Sequence, residues 1–189
     1  MAAIGLFGGS FNPTHVAHAL VALYVLETQP LDEVWLTPTF VHPFGKELAP
    51  FEDRLEMCRL AMAPLADRVR VSDLERELAA QPGFVSSRTL DLLDALEARH
   101  PEHRFRLVIG SDILRDTDKW HRWDEIVRRA PPIVIGRAGQ EAQGHACTEL
   151  SMPGVSSTEV RRRLARGEPV GDLLPSRVVR YIRERGLYR

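Results

Sequence analysis

The 189-residue sequence is short of cysteine, of net charge and of long apolar runs, and each shortage excludes a class of protein. Two cysteines, Cys58 and Cys147, cannot build a disulfide framework and fit a reducing compartment. Lys and Arg number 25 against 26 Asp and Glu, so the chain as a whole is not a polyelectrolyte binder. Any anion it handles must be met by local groups. No stretch approaches the roughly 20 consecutive apolar residues of a membrane span. The opening, Met1 to Phe7, lacks the basic flank and long apolar core of an export signal. Repeats, low-complexity segments and a domain linker are missing too. What is present is ordinary for a globular chain: 44% hydrophobic and 27% charged residues, in a length that suits one domain, residues 1–189. A cytoplasmic protein with no membrane partner is the expectation.

Along the chain, short apolar runs alternate with helical patterns. Ala2–Phe7, Glu33–Pro38, Arg68–Ser72, Phe105–Gly110 and Pro132–Gly136 read as strands, several of them apolar on both faces as buried parallel strands are. Val16–Glu27 reads as a helix with Val16, Leu20, Leu23 and Tyr24 on one face and Thr14 as its N-cap. Pro50–Met62 carries Arg54, Met57, Cys58 and Ala61 at helical spacing. Ser86–Arg99 and Asp124–Arg129 follow as helices, 137–148 reads as a loop, and helices near Ser157–Arg166 and Pro175–Arg185 close the chain. Such alternation predicts a doubly wound, Rossmann-like parallel α/β sheet with C-terminal helices, in which 155–189 forms a small helical part. Ligands of such sheets lie beyond the carboxyl ends of the strands.

Two segments concentrate the chemistry. In Gly8-Gly9-Ser10-Phe11-Asn12-Pro13-Thr14-His15-Val16-Ala17-His18, glycines follow the first strand and a helix starts directly behind them. Glycines let backbone approach a ligand closely, and a helix start offers free N–H groups and a positive dipole end, which suits phosphate. His15 and His18, three residues apart, share a face beside that site. Neither G-x-G-x-x-G nor the Gly-Lys-Ser/Thr of a P-loop is present, and the two histidines have no Cys or carboxylate at zinc-ligand spacing. In Gly154-Val155-Ser156-Ser157-Thr158-Glu159-Val160-Arg161, Ser156 and Glu159 have capping-box spacing. Ser157 and Thr158 fall in the first turn, and Arg161 follows one turn later, a second anion site with a guanidinium for forked phosphate contacts. Nine arginines against four acidic residues in 155–189 are spread around two helices without interleaved aromatics, so they read as a solvated face and not as a nucleic-acid surface.

Together these segments resemble the G-G-[ST]-F-[DN]-P-x-H-x-G-H and I-S-S-T-x-x-R signatures of nucleotidyltransferases. Phe51-Glu52-Asp53-Arg54-Leu55-Glu56-Met57, Ile109-Gly110-Ser111-Asp112 and Trp120-His121-Arg122-Trp123 stand between them in the order seen in bacterial nicotinate-nucleotide adenylyltransferases. The resemblance covers roughly Ile4 to Tyr188. It implies transfer of AMP from ATP to nicotinate mononucleotide, with Mg²⁺ held mainly by phosphates and water and no protein-built metal site. It implies His15 and His18 as catalytic contacts to the α- and β-phosphates. Gly8, Gly9, Ser10, Phe11, Gly110, Asp112, Ser157, Thr158 and Arg161 would bind ATP, with Asp112 on a ribose hydroxyl. Lys46, Ser86 and Trp120 would bind the acceptor, Trp120 by stacking on the pyridine ring.

Three departures bear on those expectations. Ala17 replaces the motif glycine, Gly45 separates Phe44 from Lys46, and Phe84-Val85-Ser86-Ser87-Arg88-Thr89-Leu90 stands where the family reads S-Y-T-x-D-T-L. Arg88 thus falls at an aspartate. Adenylyl transfer to nicotinamide mononucleotide or pantetheine phosphate, and a nucleotide-binding module without catalysis, remain open on the residues.

Overall fold

In the computed structural model, which describes residues 1–137 and 147–189, six strands form one sheet. They are β1 (Ala3–Gly9), β2 (Glu33–Pro38), β3 (Val69–Val71), β4 (Arg104–Gly110), β5 (Ile133–Arg137) and β6 (Cys147–Met152). Their order is β3-β2-β1-β4-β5-β6, and every neighbouring pair is parallel. The helices are α1 (Val16–Thr28), α2 (Phe51–Met62), α3 (Leu74–Ala79), α4 (Thr89–Arg99), α5 (Trp123–Arg129), α6 (Ser157–Ala165) and α7 (Ser176–Arg185). This is the doubly wound Rossmann-like sheet that the alternation predicts.

Two apolar layers cover it. Successive strand residues point to opposite faces, so a run such as Leu107-Val108-Ile109 serves both layers at once. Leu107 and Ile109 join Ile4 and Leu6 of β1, Leu93 and Leu96 of α4 and Ile126 of α5. Val108 joins Leu36 of β2, Val25 of α1, Met57 of α2, Val160 of α6 and Ile182 of α7. The tail helices α6 and α7 therefore pack into the same core as α1 and α2. At about 1.5–3 kcal/mol for each fully buried aliphatic side chain, that shared burial is what holds them against the sheet.

The chain leaves β1 toward β2 and β3 on one side and returns to β4, β5 and β6 on the other. The order reverses between β1 and β4, and a crevice opens beyond their carboxyl ends. Gly8-Gly9 ends β1 and Gly110 ends β4, so both expected ligand-facing turns meet at that point.

Several local expectations need correction. His15, not Thr14, is the N-cap of α1; the Thr14 hydroxyl is buried against the Cys58 thiol at 3.1 Å. The buried face of α1 is Ala17, Val21, Ala22, Val25 and Leu26, while Leu20 and Leu23 are exposed. The helix is apolar nearly all round, so periodicity does not single out its inner stripe. The expected 137–148 loop lies mostly in 138–146, outside the described residues, but its last two residues belong to β6. β6, the short α3 and the 3₁₀ turns Ser111–Lys119 are further elements that the residue pattern does not mark. No helix of the described residues is long and apolar enough to cross a membrane.

Candidate active site

A cavity of about 1130 Å³ occupies the crevice between the ends of β1 and β4. From the first signature it is lined by Gly8, Ser10, Phe11, His15 and His18. Ser157, Thr158 and Arg161 of α6 face it from the tail, Gly110 and Asp112 from β4, and Lys46 from the loop after β2. The starts of α1 and α6 thus border one cleft. Gly9, Ser86 and Trp120 do not line it. Gly9 stands behind the Phe11 ring, which would touch a Cβ there at 3.4 Å. Trp120 borders a separate depression of about 610 Å³, its ring edge-to-face with Trp123 at 5.4 Å.

The two imidazoles are held together. Their rings stack with centroids 3.7 Å apart and planes 24° from parallel. His15 is buried, and its backbone N–H donates to His18 Nδ1 at 3.1 Å. Nδ1 of His18 is therefore an acceptor, which leaves the proton of the neutral ring on Nε2. The Phe11 ring meets His18 edge-on at 4.9 Å. Phe11 itself has φ 45°, a left-handed backbone that costs a non-glycine residue roughly 1–3 kcal/mol. The surrounding contacts hold it there.

Those contacts come from three directions. Ser157 Oγ donates to Pro13 O at 3.0 Å, and Arg161 Nη1 donates to Asn12 O at 2.7 Å. Tyr188 donates its hydroxyl to Asn12 Oδ1 at 2.6 Å, and the Ala49 N–H donates to the same oxygen at 3.2 Å. Beneath the turn lies Arg54, 1% exposed. Its guanidinium donates to Ser10 O at 3.0 Å, Thr39 O at 2.7 Å and Ala49 O at 2.9 Å. Burying a guanidinium is unfavourable unless its donors are met, and here three backbone carbonyls, from the turn after β1 and from both ends of the loop between β2 and α2, meet them. The helix position of Arg54 was legible among the core spacings of α2; its role, like those of Asn12 and Tyr188, was not. A charged residue on an otherwise apolar helix face is the signal that could have found it.

The helix starts are partly committed to this scaffold. The Val16 N–H donates to Leu173 O at 3.0 Å. Ser156 caps α6 by accepting from the Glu159 N–H at 3.2 Å, as the spacing predicts. The Glu159 carboxylate turns instead to Arg162 and Arg163, which hold its pKa down to about 2. The first-turn N–H groups of Ser157 and Thr158 have no intrahelical carbonyl, which leaves them suited to an anion. A Cβ at Gly110 would fall 2.4 Å from Asp112 Oδ1, so a side chain there would push the carboxylate off the strand end. The glycine lets the Asp112 carboxylate fold back over the strand end.

The loops after β2 and before α4 are built differently. Gly45 has φ 66° and closes the turn in which its N–H donates to His42 O, bringing Lys46 to the cleft. His42 accepts from the Phe44 N–H at 3.1 Å, and burial, Lys46 and Arg54 lower its pKa. Ser87, not Ser86, is the buried serine; its Oγ accepts from the Phe40 and Val41 N–H groups at 3.0 and 3.2 Å. Glu75 of α3 is buried next to it, and desolvation pushes its pKa up to about 7. Cys58 is likewise pushed up to about 12 by burial and stays a neutral thiol.

Known proteins are similar to this chain. The model of the cytidylyltransferase-like family matches residues 6–163. A protein named "Probable nicotinate-nucleotide adenylyltransferase" from Anaeromyxobacter sp. (strain K) is 54% identical over 98% of this chain and 96% of its own. One of the same name from Myxococcus xanthus is 46% identical over 98% and 94%. Among solved structures, the nicotinic acid mononucleotide adenylyltransferase of Plasmodium falciparum, complexed with NaAD, superposes with a TM-score of 0.83. It covers all of this chain and 98% of the other at 22% identity, a likeness of fold.

Proposed function

Because the chain belongs to the nicotinate-nucleotide adenylyltransferases of the cytidylyltransferase-like family, we propose that it transfers AMP from ATP to the phosphate of nicotinate mononucleotide, releasing pyrophosphate and forming nicotinate adenine dinucleotide for NAD biosynthesis. The observation that carries the reading is the meeting of two helix starts over one cleft, tied by the Ser157–Pro13 and Arg161–Asn12 bonds.

In this reading the triphosphate lies between α1 and α6. His18, with its proton on Nε2, donates to the α-phosphate, where negative charge builds as the acceptor oxygen attacks. His15, stacked on His18 and buried, contacts the adjoining β-phosphate and fixes its neighbour's orientation. The Ser157 and Thr158 amides and the Arg161 guanidinium hold the β- and γ-phosphates, which keeps pyrophosphate in line as leaving group. Phosphoryl transfer asks little covalent chemistry of a protein, so positioning and fixed donors carry most of the acceleration. Gly8, Ser10 and Phe11 shape the floor, with Gly9 behind the Phe11 ring, and Gly110 with Asp112 receives the ribose. Lys46, on the cleft, is assigned to the acceptor together with Ser86 and Trp120, which lie outside the cavity and would have to move toward it to touch the acceptor. Ala17, buried at the cleft wall, adds only a methyl.

Nucleotidyltransferase activity accords with a divalent metal, and Mg²⁺ is the ion we assign. The cleft offers the carboxylates of Glu47 and Asp112, and among the described residues no cluster of three ligands gathers there. That donor set fits an ion bound mainly through phosphate oxygens and water, which when bound neutralises phosphate charge. One domain over 1–189, with α6 and α7 completing the site, and a cytoplasmic location belong to the same proposal.

Pyrophosphate release from ATP and Mg²⁺, followed with nicotinate mononucleotide, nicotinamide mononucleotide and phosphopantetheine in turn, tests it. Fastest turnover with nicotinate mononucleotide is expected. Turnover with phosphopantetheine alone, or ATP binding without turnover, would overturn it.

A further inference from the structure

At the far end of the sheet from the cleft, the segment His100-Pro101-Glu102-His103 closes α4 and leads into β4. The His103 N–H donates to His100 O at 3.0 Å, and the His100 N–H donates to Leu96 O at 2.8 Å, so the segment is a tight turn. Both imidazoles lie edge-to-face with the buried Trp35 ring, at 5.1 and 6.0 Å, and are nearly parallel to each other, 9° apart at 5.4 Å. Trp35 is fixed in turn, because its Nε1–H donates to Glu33 Oε2 at 2.7 Å. The two rings therefore rest on a rigid platform, with the Glu102 carboxylate beside them.

Glu102 Oε1 lies 3.4 Å from His103 Nε2 and 3.9 Å from His100 Nδ1. The ligand atoms of all three residues fall within 4.8 Å of one another. Metal–ligand bonds of about 2.1 Å in a tetrahedral shell place neighbouring ligand atoms about 3.4 Å apart. One edge already has that length and another exceeds it by half an ångström.

We propose that His100, Glu102 and His103 bind a divalent transition-metal ion of the zinc type, with water in the fourth position. Two imidazole nitrogens and one carboxylate suit Zn²⁺, Ni²⁺ or Cu²⁺, whereas Mg²⁺ and Ca²⁺ prefer oxygen alone. The seven residues of β4 separate the site from Gly110 by about 20 Å, so the ion clips α4 to the start of β4 and takes no part in the cleft. Nδ1 of His103 is buried with no hydrogen-bond partner, so no acceptor supports that ring from behind. With three protein ligands and no such support, the affinity belongs on the order of micromolar, not the far tighter range of closed four-ligand sites.

Calorimetric titration of the chelator-treated full chain with ZnCl₂ tests the site, alongside Cu²⁺ broadening of the three tryptophan indole N–H signals. Zinc binding is expected to weaken about tenfold or more, the loss that follows removal of even an outer-shell partner, in His100→Ala/His103→Ala and in the exposed single variant Glu102→Gln. Cu²⁺ should broaden the Trp35 indole before those of Trp120 and Trp123, and turnover with ATP should be unchanged in both variants. Absence of zinc binding up to about millimolar, or binding and Trp35 broadening that persist unchanged in Glu102→Gln and the double variant, would overturn the proposal.

Discussion

Where α1 and α6 meet, the polar side chains are tied down, mostly to backbone: Arg54 to three carbonyls, Asn12 to the Ala49 N–H and the Tyr188 hydroxyl, Ser157 to the Pro13 carbonyl. The loops around Lys46 and Ser86 differ. Val41, Phe44 and Val85 are 40%, 54% and 76% exposed, and Lys46 stands in solvent. The end we assign to ATP is thus fixed before ligand arrives, and the end we assign to the acceptor is built from surface loops fastened mainly through Ser87. In that assignment, chemistry common to all adenylyl transfer sits on the firmly tied part, and choice of acceptor on the exposed loops.

The contrast can be broken at its strongest point by Arg54→Ala. Three carbonyls would lose their donor and a buried volume would empty, so stability should fall by about 3 kcal/mol or more in denaturant unfolding. Near-normal stability would mean the turn holds without its buried cation. Next in size, His18→Ala should lower kcat about 100- to 1000-fold, the scale of a lost transition-state donor. A rate close to the parent's would remove His18 from the reaction.

Beneath the other end, Glu75 gives a pH signature. Burial raises its pKa from 4.5 to about 7, so the folded protein holds this proton more tightly than the unfolded chain does. The contribution is full below about pH 4.5 and lost as pH rises through about 7. Glu75→Gln has no such loss, so it should gain up to about 3 kcal/mol over the parent near pH 8 relative to near pH 5. A stability difference that does not vary with pH would contradict this. The smallest effects sharpen the contrast from both sides. Arg161→Ala should raise KM for ATP about tenfold, while Lys46→Ala should raise only the acceptor's KM, by a few-fold, as steady-state kinetics would show. A mirrored result would reverse the assignment of the two ends.

The sequence was most readable where one physical force dominated. Glu33–Pro38 matches β2 end for end because an apolar run closed by proline has few alternatives. Arg54, Met57, Cys58 and Ala61 are all buried, as their spacing on α2 predicts. Periodicity failed on α1, where apolar residues surround the helix. It also missed β6, Cys147–Met152, whose composition does not mark a strand and which is placed by pairing with β5. In the cleft, the glycine turn, the paired histidines and the hydroxyl-rich start of α6 were legible as local patterns. The ties that fix them were not, because Arg161 reaches Asn12 across 149 residues and Tyr188 reaches it across 176. Such distances in sequence leave no local trace.

A crystal structure with a non-hydrolysable ATP analogue bears most directly on the grip between the two helix starts. The account predicts an α-phosphate oxygen about 3 Å from His18 Nε2, with the outer phosphates on the Ser157 and Thr158 amides and the Arg161 guanidinium. A triphosphate lying outside the gap, or contacted by only one of the two helix starts, would contradict it.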